Sequence, residues 1–170
     1  MKIIETERLN IREIEQKDID SLLDIYRVSK NMEFIPNSNF EWTNKLLVEK
    51  YEKINQDYKN GFGIYAVELK QLNILIGEAG LFKSFQDISH LELGYILDYK
   101  FWGNGYGTEI CQSLIKYGFE KLNLYKLSAR MFCQNIASIR LSEKCGMNFV
   151  KQGVTDKGEH FCKYEIVKEW

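Results

Sequence analysis

The stretch WGNGYGTE, residues 102–109, lies between a run that is typical of a strand and a run that is typical of a helix. Gly103, Gly105 and Gly107 stand at alternate positions, and Thr108 follows where a helix could begin and be capped. The first amides of a helix lack intrahelical acceptors and carry the positive end of its dipole. Because glycine has no side chain, ligand oxygens can reach such amides. The stretch predicts a phosphate-binding loop, and a plain chain-reversing turn is the simpler alternative.

Neither common nucleotide-binding loop fits this spacing. A P-loop requires the pattern GxxxxGK[ST], and the required lysine is absent here. A dinucleotide fingerprint requires GxGxxG opening a βαβ unit, but the third fingerprint position here holds Thr108. The loop also comes late in the chain, after several strand-like runs. A nucleotide-dependent oxidoreductase therefore stays only as a third hypothesis, which tight dinucleotide binding would support.

Hydrophobic spacing on both sides of the loop predicts a mixed α/β domain with the order β α α β β β α β α β β. Short polar links join the three strand-like runs in the middle of the chain, which favours an antiparallel meander. We expect Asp18 to cap the first helix and Asn60-Gly61 to close the second. The predicted strands are Arg8–Ile14, Phe62–Leu69, Ile74–Phe82, His90–Leu97, Lys126–Phe132, Asn148–Val154 and Phe161–Val167, and the predicted helices are Glu15–Ser29, Glu41–Gly61, Thr108–Leu122 and Asn135–Gly146.

Length and composition limit the class of protein. The chain has 170 residues and 45% hydrophobic residues, which suits one domain over residues 1–170. Its formal net charge is −1, and no run of Lys or Arg exceeds two, which argues against a nucleic-acid partner. No apolar run is long enough for an export signal or a membrane span, so we expect a cytoplasmic protein with no membrane partner.

The four cysteines, Cys111, Cys133, Cys145 and Cys162, include no CxxC pair. Without that ligand spacing we predict no metal site. Without an export signal we expect reduced and mostly buried thiols.

The sequence resembles the GNAT superfamily of acetyl-CoA-dependent N-acetyltransferases. Within it, the chain looks most like the RimJ/RimL-type branch of ribosomal-protein N-terminal acetyltransferases, with spermidine acetyltransferases as close relatives. Five stretches between Glu5 and Val150 carry the resemblance in the order of the family: ETERLNIREI, IGEAGLF, LELGYIL, WGNGYGTEI and NIASIRLSEKCGMNFV. The loop pattern of the family is Q/R-x-x-G-x-G/A, which Gly105 and Gly107 match, while Trp102 stands at the Gln/Arg position.

The resemblance implies a single GNAT-type domain, with a central, mostly antiparallel twisted sheet, flanking helices and a splayed strand pair. That pair would be His90–Leu97 and Lys126–Phe132. It also implies acetyl-CoA as cofactor, with its pantetheine arm paired to the backbone of Ile96 and Leu97 like an added strand. The implied cofactor-binding residues are Ile96, Leu97, Gly103, Asn104, Gly105, Tyr106, Gly107, Thr108, Asn135 and Ser138.

Acetyl transfer requires a base for the amine, stabilisation of the oxyanion and a proton donor for the thiolate. We favour Glu92 as the base, acting directly or through a water. The resemblance implies that its strand faces the cleft and that the family often has a glutamate at this position, and strand alternation places Glu92 on the face opposite Leu91 and Leu93. A structural carboxylate is the alternative role for Glu92, and Glu78 and His90 are other candidates for the base or exposed strand residues. The resemblance implies that backbone amides near Ile96 meet the oxyanion.

For the proton donor, the resemblance points to Ser138, which could instead cap the short helix. Ser142 stands where many members of the superfamily have a catalytic tyrosine, and solvent is a third possibility. Attack by a thiol of Cys133 or Cys145 is disfavoured because no adjacent His base is visible.

The acceptor should be a primary amine: a protein N-terminus, a polyamine or an aminoglycoside-like drug. Glu33, Phe34, Phe40, Glu41 and Trp42 could line its pocket or form a solvated loop. The alternative to an enzyme is a non-catalytic, coenzyme A-binding GNAT-fold module, and a homodimer would be ordinary for the branch.

Overall fold

The computed structural model describes residues 1–36, 40–83 and 90–169. The chain divides into two compact units, Met1–Gly80 with Tyr95–Tyr106, and Leu81–Gly94 with Gly107–Trp170. Within the described ranges the strands are β1 Lys2–Glu5, β2 Leu9–Arg12, β3 Gly63–Leu69, β4 Ile74–Lys83, β5 Leu91–Leu97, β6 Lys126–Phe132, β7 Asn148–Val154 and β8 His160–Val167. The helices are α1 Ile19–Tyr26, α2 Ser29–Met32, α3 Asn44–Ile54, α4 Tyr106–Glu120 and α5 Ile136–Lys144.

The first unit contains β1, β2, β3, most of β4 and the end of β5, in that order across the sheet, together with α1, α2 and α3. β1 pairs antiparallel with β2, and β2 pairs antiparallel with β3. Alternation of apolar and polar residues in β2 places Leu9 and Ile11 in the core, where both are fully buried. Leu22 of α1 and Leu47 of α3 are also fully buried. Apolar helix faces against one face of the strands therefore form the core of this unit.

The second unit contains the end of β4, the start of β5, and β6, β8 and β7, in that order, together with α5 and nearly all of α4. β5 pairs parallel with β6 at Glu92 and Ser128, whereas β6 pairs antiparallel with β8 along its full length. β7 pairs antiparallel with β8. Ile110 and Leu114 of α4 and Leu127 of β6 are fully buried. The prediction of a mixed α/β class with a mostly antiparallel sheet is confirmed.

The predicted strands and the last two predicted helices are confirmed with small changes in their bounds, whereas the second predicted helix, Glu41–Gly61, is α-helical only over α3 and continues as a 3-10 helix at Asn55–Asn60. β1 was missed, because four residues are too short to show a period and it lies at the edge of the sheet, with its residues exposed or half-buried. The first predicted helix is divided into a 3-10 turn at Gln16–Asp18, α1 and α2. Val28, with an extended backbone (ψ 110°), interrupts it between α1 and α2.

The predicted cap residues have different outcomes. Asp18 precedes α1 but makes no side-chain cap to that helix, because its carboxylate accepts from Arg12 and from the backbone amide of Glu15. Gly61 ends the turn that follows α3 with φ +84°, in agreement with the prediction for Asn60-Gly61.

The prediction of four reduced thiols is wrong for two of them. Cys133 follows β6 and Cys162 lies in β8, and the two form a disulfide with Cα atoms 5.3 Å apart. Their distance in sequence hid this pair, because only the antiparallel pairing of β6 with β8 brings the two residues together. Cys111 and Cys145 are free thiols. No group of three potential metal ligands occurs among the described residues, and no described helix could cross a membrane.

The end of β2 contains a buried ion pair. Arg12 donates to both oxygens of Asp18, at 2.7 and 2.9 Å, and its Nε lies 3.2 Å from Glu68. The Asp18 side chain is only 5% exposed. Burial raises the pKa of Asp18, but hydrogen bonds from Arg12 and Glu15 and the charge of Arg12 outweigh burial, so this pKa lies below its ordinary value of 3.8.

We expect Asp18→Ala to lower the free energy of unfolding at neutral pH by about 3 kcal/mol, because Arg12 would lose a buried partner. Since the pKa of Asp18 is depressed in the folded protein, the stabilisation is present above pH 3.8 and is lost as the pH falls through the folded value. The difference between the two proteins in urea unfolding should therefore shrink in acid. Asp24→Ala is the control, because Asp24 is 80% exposed and 4.0 Å from its partner Arg27. An equal loss in both variants would contradict this account.

Candidate functional site

Two residues of the glycine loop have a backbone conformation that favours glycine. Gly103 has φ +77° and Gly105 has φ +80°, which is the left-handed region that favours glycine. A Cβ at Gly103 would meet no atom within 4 Å, and one at Gly105 would meet only Arg8 Nη2, at 3.4 Å. Both residues are exposed. The space beside these two backbone positions is therefore open to a ligand, with a guanidinium at its edge.

Hydrogen bonds within the loop hold this conformation. The Asn104 side chain donates to the carbonyls of Phe101, at 3.2 Å, and Trp102, at 3.0 Å. The indole of Trp102 donates to the carbonyl of Leu97, at 2.9 Å. The buried Asn31 accepts from the amide of Tyr99, at 2.7 Å. Trp102, which replaces the Gln or Arg of the family pattern, thus ties the loop to the end of β5.

Arg8, immediately before β2, is a loop contact that the sequence reasoning missed. Its Nη1 donates to the carbonyl of Asn104, at 2.8 Å, and its guanidinium lies 4.4 Å from the centre of the Tyr106 ring. The several donors of a guanidinium allow Arg8 to form this hydrogen bond while its charge contacts the aromatic ring. Arg8 lies in the stretch ETERLNIREI, which carries part of the family resemblance. Nothing in the sequence alone, however, links residue 8 to residue 104.

The end of the loop differs from the prediction. α4 begins at Tyr106, so Thr108 lies inside the helix and is not its cap. Gly107 is also helical, and a Cβ there would lie 2.7 Å from Leu141 Cδ1 of α5. Leu141 would therefore have to shift to admit a side chain at position 107. Only Gly103 and Gly105 have the left-handed conformation in this loop.

The end of β5 contains the two residues for which the resemblance implies contact with pantetheine. Ile96 and Leu97 are buried, and Gly77 of β4 packs so closely that a Cβ there would overlap the carbonyl oxygen of Ile96. The amide of Asp98 donates to the carbonyl of Ile76, at 2.9 Å. Backbone polar groups of this segment therefore pair with β4 on one side.

Glu92, the predicted base, is 5% exposed and lies opposite Ser128 on the neighbouring strand. Arg130 Nε is 2.8 Å from Glu92 Oε1, and both side chains are largely buried. The N–H of Arg130 is not aligned on the carboxylate, so the contact is an ion pair without a direct hydrogen bond from that atom. This cation is a partner that the sequence reasoning did not identify.

α5 begins after Asn135, whose side chain accepts from the amide of Ser138, at 3.2 Å. Asn135 is therefore the helix cap, and the alternative role of Ser138 as that cap is wrong. Ser138 is half-buried in the first turn, whereas Ser142 is buried, with 4% of its surface exposed. Burial makes Ser142 the less accessible of the two candidate proton donors.

The two other candidates for the base occupy different environments. His90 is half-buried, immediately before β5. Glu78 of β4 is 4% exposed, so the alternative of an exposed strand residue is wrong for Glu78. Its carboxylate accepts from Tyr26 and Tyr51, and it forms an ion pair with Lys50.

The residues predicted to line an acceptor pocket are only partly described, because residues 37–39 lie outside the described ranges. Glu33 and Glu41 are exposed, and Phe34 is half-buried. The rings of Phe40 and Trp42 pack edge-on, with centres 5.4 Å apart. Of this set, the structure brings together Phe40 and Trp42.

The two free thiols adjoin each other. A hydrogen bond with Cys145 raises the pKa of the buried Cys111 thiol, and burial raises it further. The same hydrogen bond lowers the pKa of Cys145. Cys145 Sγ also lies 3.9 Å from the carbonyl of Thr108.

The sequence of this chain matches a known protein family. A family model described as the acetyltransferase (GNAT) domain matches residues 8–148, so the chain belongs to the GNAT acetyltransferases. It is 30% identical over 174 residues to the uncharacterized N-acetyltransferase YnaD of Bacillus subtilis (strain 168), with 98% of each protein covered. The predictions of a GNAT-type domain, an N-acetyltransferase enzyme and acetyl-CoA as its cofactor are confirmed, since GNAT acetyltransferases use acetyl-CoA.

Solved structures share the fold. A GNAT-family acetyltransferase from Bacillus anthracis is 29% identical with a TM-score of 0.79, over 96% of this chain and 97% of that one. RimL, a ribosomal L7/L12 alpha-N-protein acetyltransferase solved with coenzyme A, has a TM-score of 0.83 over 98% of both chains. Its identity is only 12%, so that likeness shows the fold and leaves the branch undecided.

We expect Arg8→Ala to loosen the glycine loop, because it removes both the hydrogen bond to Asn104 and the contact with Tyr106. Amide hydrogen exchange at residues 104–106 should accelerate, and acetyl-CoA affinity should fall about tenfold, the equivalent of one charge-assisted hydrogen bond. Arg27→Ala removes an exposed arginine as the control. Unchanged exchange and affinity in Arg8→Ala would show that Arg8 does not support the loop.

Proposed function

We propose that this protein transfers the acetyl group of acetyl-CoA to a primary amine by direct attack of the amine on the thioester. The observation that carries the proposal is the loop between β5 and α4. Gly103 and Gly105 hold left-handed conformations there, exposed and with open space beside them. A pyrophosphate bound to such backbone amides gains hydrogen bonds and the favourable end of a helix dipole.

In this proposal the cofactor is bound by the loop from Gly103 to Thr108, by the backbone of Ile96 and Leu97, and by Asn135 and Ser138. Within the loop, Gly103, Asn104, Gly105 and Tyr106 offer amides near the Arg8 guanidinium, whose positive charge favours a bound phosphate. Gly107 and Thr108 add amides of the first helical turn.

For the chemistry we propose Glu92 as the base and Ser138 as the proton donor to the thiolate, with Ser142 or solvent as the alternative donor. The amine must lose a proton before it attacks, and a positioned carboxylate can accept that proton directly or through a water. The ion pair of Glu92 with Arg130 supports the other possibility, a coenzyme A-binding module in which Glu92 only stabilises the fold.

We further propose that the chain is a member of the RimJ/RimL-type branch, forms a single domain over residues 1–170, is cytoplasmic and assembles as a homodimer. The proposed acceptor is a protein N-terminus or a small amine, including a polyamine or an antibiotic. Neither nucleic acid nor a membrane is proposed as a partner.

We expect the wild-type protein to bind acetyl-CoA, but not NAD, in isothermal titration. Gly105→Val should weaken acetyl-CoA binding at least about tenfold, because a β-branched residue resists φ +80° and its side chain fills the space beside the amides.

Gly158→Val is the matched control for that measurement. Gly158 also has φ +80° and open space around its Cβ position, but it lies in the turn between β7 and β8. It should carry a similar backbone strain and retain acetyl-CoA affinity. Equal affinity for acetyl-CoA in Gly105→Val and wild type would refute the assignment of the loop.

Glu92→Gln should lower kcat with an amine acceptor about a hundredfold while acetyl-CoA affinity changes little, as expected when a group acts in the transition state. Glu165→Gln is the control, because Glu165 is another largely buried carboxylate, paired with Lys126 and Lys163. If kcat is unchanged in Glu92→Gln, Glu92 is a structural carboxylate. If the wild type binds acetyl-CoA and acetylates no amine in a broad panel, the non-catalytic module is the better account.

A further inference from the structure

The middle of β4 holds a carboxylate that is almost removed from water. Glu78 is 4% exposed. Its Oε1 accepts from the Tyr26 hydroxyl, at 2.7 Å, and lies 2.7 Å from Lys50 Nζ, while its Oε2 accepts from the Tyr51 hydroxyl. A buried charge is tolerated only with such partners. We call Glu78, Tyr26 and Tyr51 the ammonium cage.

The cage holds the ammonium group of this chain's own Lys50. Lys50 Nζ lies 4.9 Å from the centre of the Tyr26 ring and 4.8 Å from that of Tyr51. Lys50 Nζ also donates to the Tyr26 hydroxyl, which places the ammonium beside that hydroxyl and not over the face of the Tyr26 ring. A carboxylate, a hydroxyl oxygen and one aromatic ring are groups that can bind an alkylammonium ion. The ammonium of Lys50 therefore indicates that this position can hold an alkylammonium ion.

Further aromatic residues adjoin the cage. The Trp42 ring packs edge-on against Tyr26, with centres 5.0 Å apart, and Phe40 packs on Trp42. The indole N–H of Trp42 is buried and has no acceptor among the described residues. An unpaired buried donor costs free energy, so a ligand that brings an acceptor to it would gain that energy on binding.

Lys50 supplies the positive charge in the cage. Burial and the charge of Glu78 raise the pKa of Tyr26 and Tyr51, so both hydroxyls stay neutral. Lys50 is then the cation that balances Glu78 among the groups in contact with it. The Lys50 side chain is 18% exposed, and its ammonium lies at the end of a flexible four-carbon stem on α3, so rotation about the bonds of that stem can move it away from Glu78.

The cage is next to a segment of the proposed acetyl-CoA site. Gly77 precedes Glu78 and packs against the backbone of Ile96 and Leu97, where the proposed function binds the pantetheine arm. An ammonium group in the cage shares the Glu78 carboxylate with two hydroxyl donors, whereas the amine that reacts needs a base to accept its proton, which is the role proposed for Glu92. The cage suits a second cationic group of the acceptor, held at a distance from the amine that reacts.

We propose that the ammonium cage is an acceptor subsite for a non-reacting alkylammonium group, and that Lys50 occupies it until the acceptor displaces it. This inference rests on the proposed function and narrows the acceptor to compounds with a reactive primary amine and a second, alkyl-linked ammonium. Small diamines and peptides with a lysine near the N-terminus share that chemistry.

The test is isothermal titration at neutral pH with n-butylammonium, which has the length of a lysine side chain, and with n-butanol as the uncharged comparison. The proteins are wild type, Lys50→Met and the double variant Lys50→Met/Glu78→Gln. Lys50→Met should bind n-butylammonium at least about tenfold more tightly than wild type, because the competing ammonium is gone. The double variant should lose this gain, because it lacks the carboxylate charge.

Three results would each overturn the proposal. Wild type and Lys50→Met could bind n-butylammonium with equal affinity, or Lys50→Met and the double variant could do so. Lys50→Met could also bind n-butanol as tightly as n-butylammonium. If Lys50→Met fails to fold by circular dichroism, Lys50→Gln takes its place, because its amide still donates to Glu78. Wild type should also bind n-butylammonium saturably. If neither wild type nor Lys50→Met binds it, the proposal is overturned.

Titration with acetyl-CoA separates this inference from the proposed function. If all proteins bind acetyl-CoA but none binds n-butylammonium, only the subsite is wrong. If n-butylammonium binds and acetyl-CoA does not, the cage is an ammonium site, but the proposed function fails and with it the role of the cage as an acceptor subsite. To distinguish the two sources of the ammonium, Michaelis constants in wild type and Lys50→Met are compared for two acceptors, a four-carbon alkyl diamine and a peptide carrying lysine at its second position.

Discussion

The loop between β5 and α4 must turn through two left-handed residues within three positions, and the assignment of the cofactor site depends on that constraint. Positive φ at Gly103 and Gly105 leaves backbone amides without covering side chains. Such a turn is not stable merely because glycine permits it, since glycine also loses the most conformational entropy on ordering. The side-chain contacts of Arg8, Trp102 and Asn104 provide the compensating interactions.

The first unit buries two carboxylates and pairs each of them with a basic side chain. Asp18 and Glu78 are both about 4% exposed, and each is paired with a basic residue. The pairs differ in geometry. Arg12 reaches Asp18 through two directed bonds of a planar group, which fixes the start of α1 to β2. Lys50 meets Glu78 through the ammonium at the end of a flexible stem, which does not fix the orientation of the two side chains in the same way.

Much of the architecture could be predicted from the sequence, because the period of apolar residues reports which face of an element is buried. The strand Lys126–Phe132 was predicted with its observed bounds, and the glycine spacing predicted a loop between a strand and a helix, where β5 and α4 lie. What the sequence could not provide were contacts between distant residues. Arg8 with Asn104, Glu92 with Arg130, and the environment of Glu78 all depend on which strands become neighbours. Thr108 was misplaced for a local reason, because the helix begins two residues earlier, directly after the left-handed Gly105.

The bond between Cys133 and Cys162 has a consequence for the denatured chain. It closes a loop with a sequence separation of 29 residues, which contains α5 and β7. In the chain-entropy description, a closure of this size restricts the unfolded ensemble enough to contribute about 3 to 4 kcal/mol to stability. In a reducing compartment this contribution disappears, and the segment that contains Asn135 and Ser138 then has only noncovalent contacts to hold it. The redox state of the surroundings therefore sets how firmly these two proposed cofactor contacts are anchored.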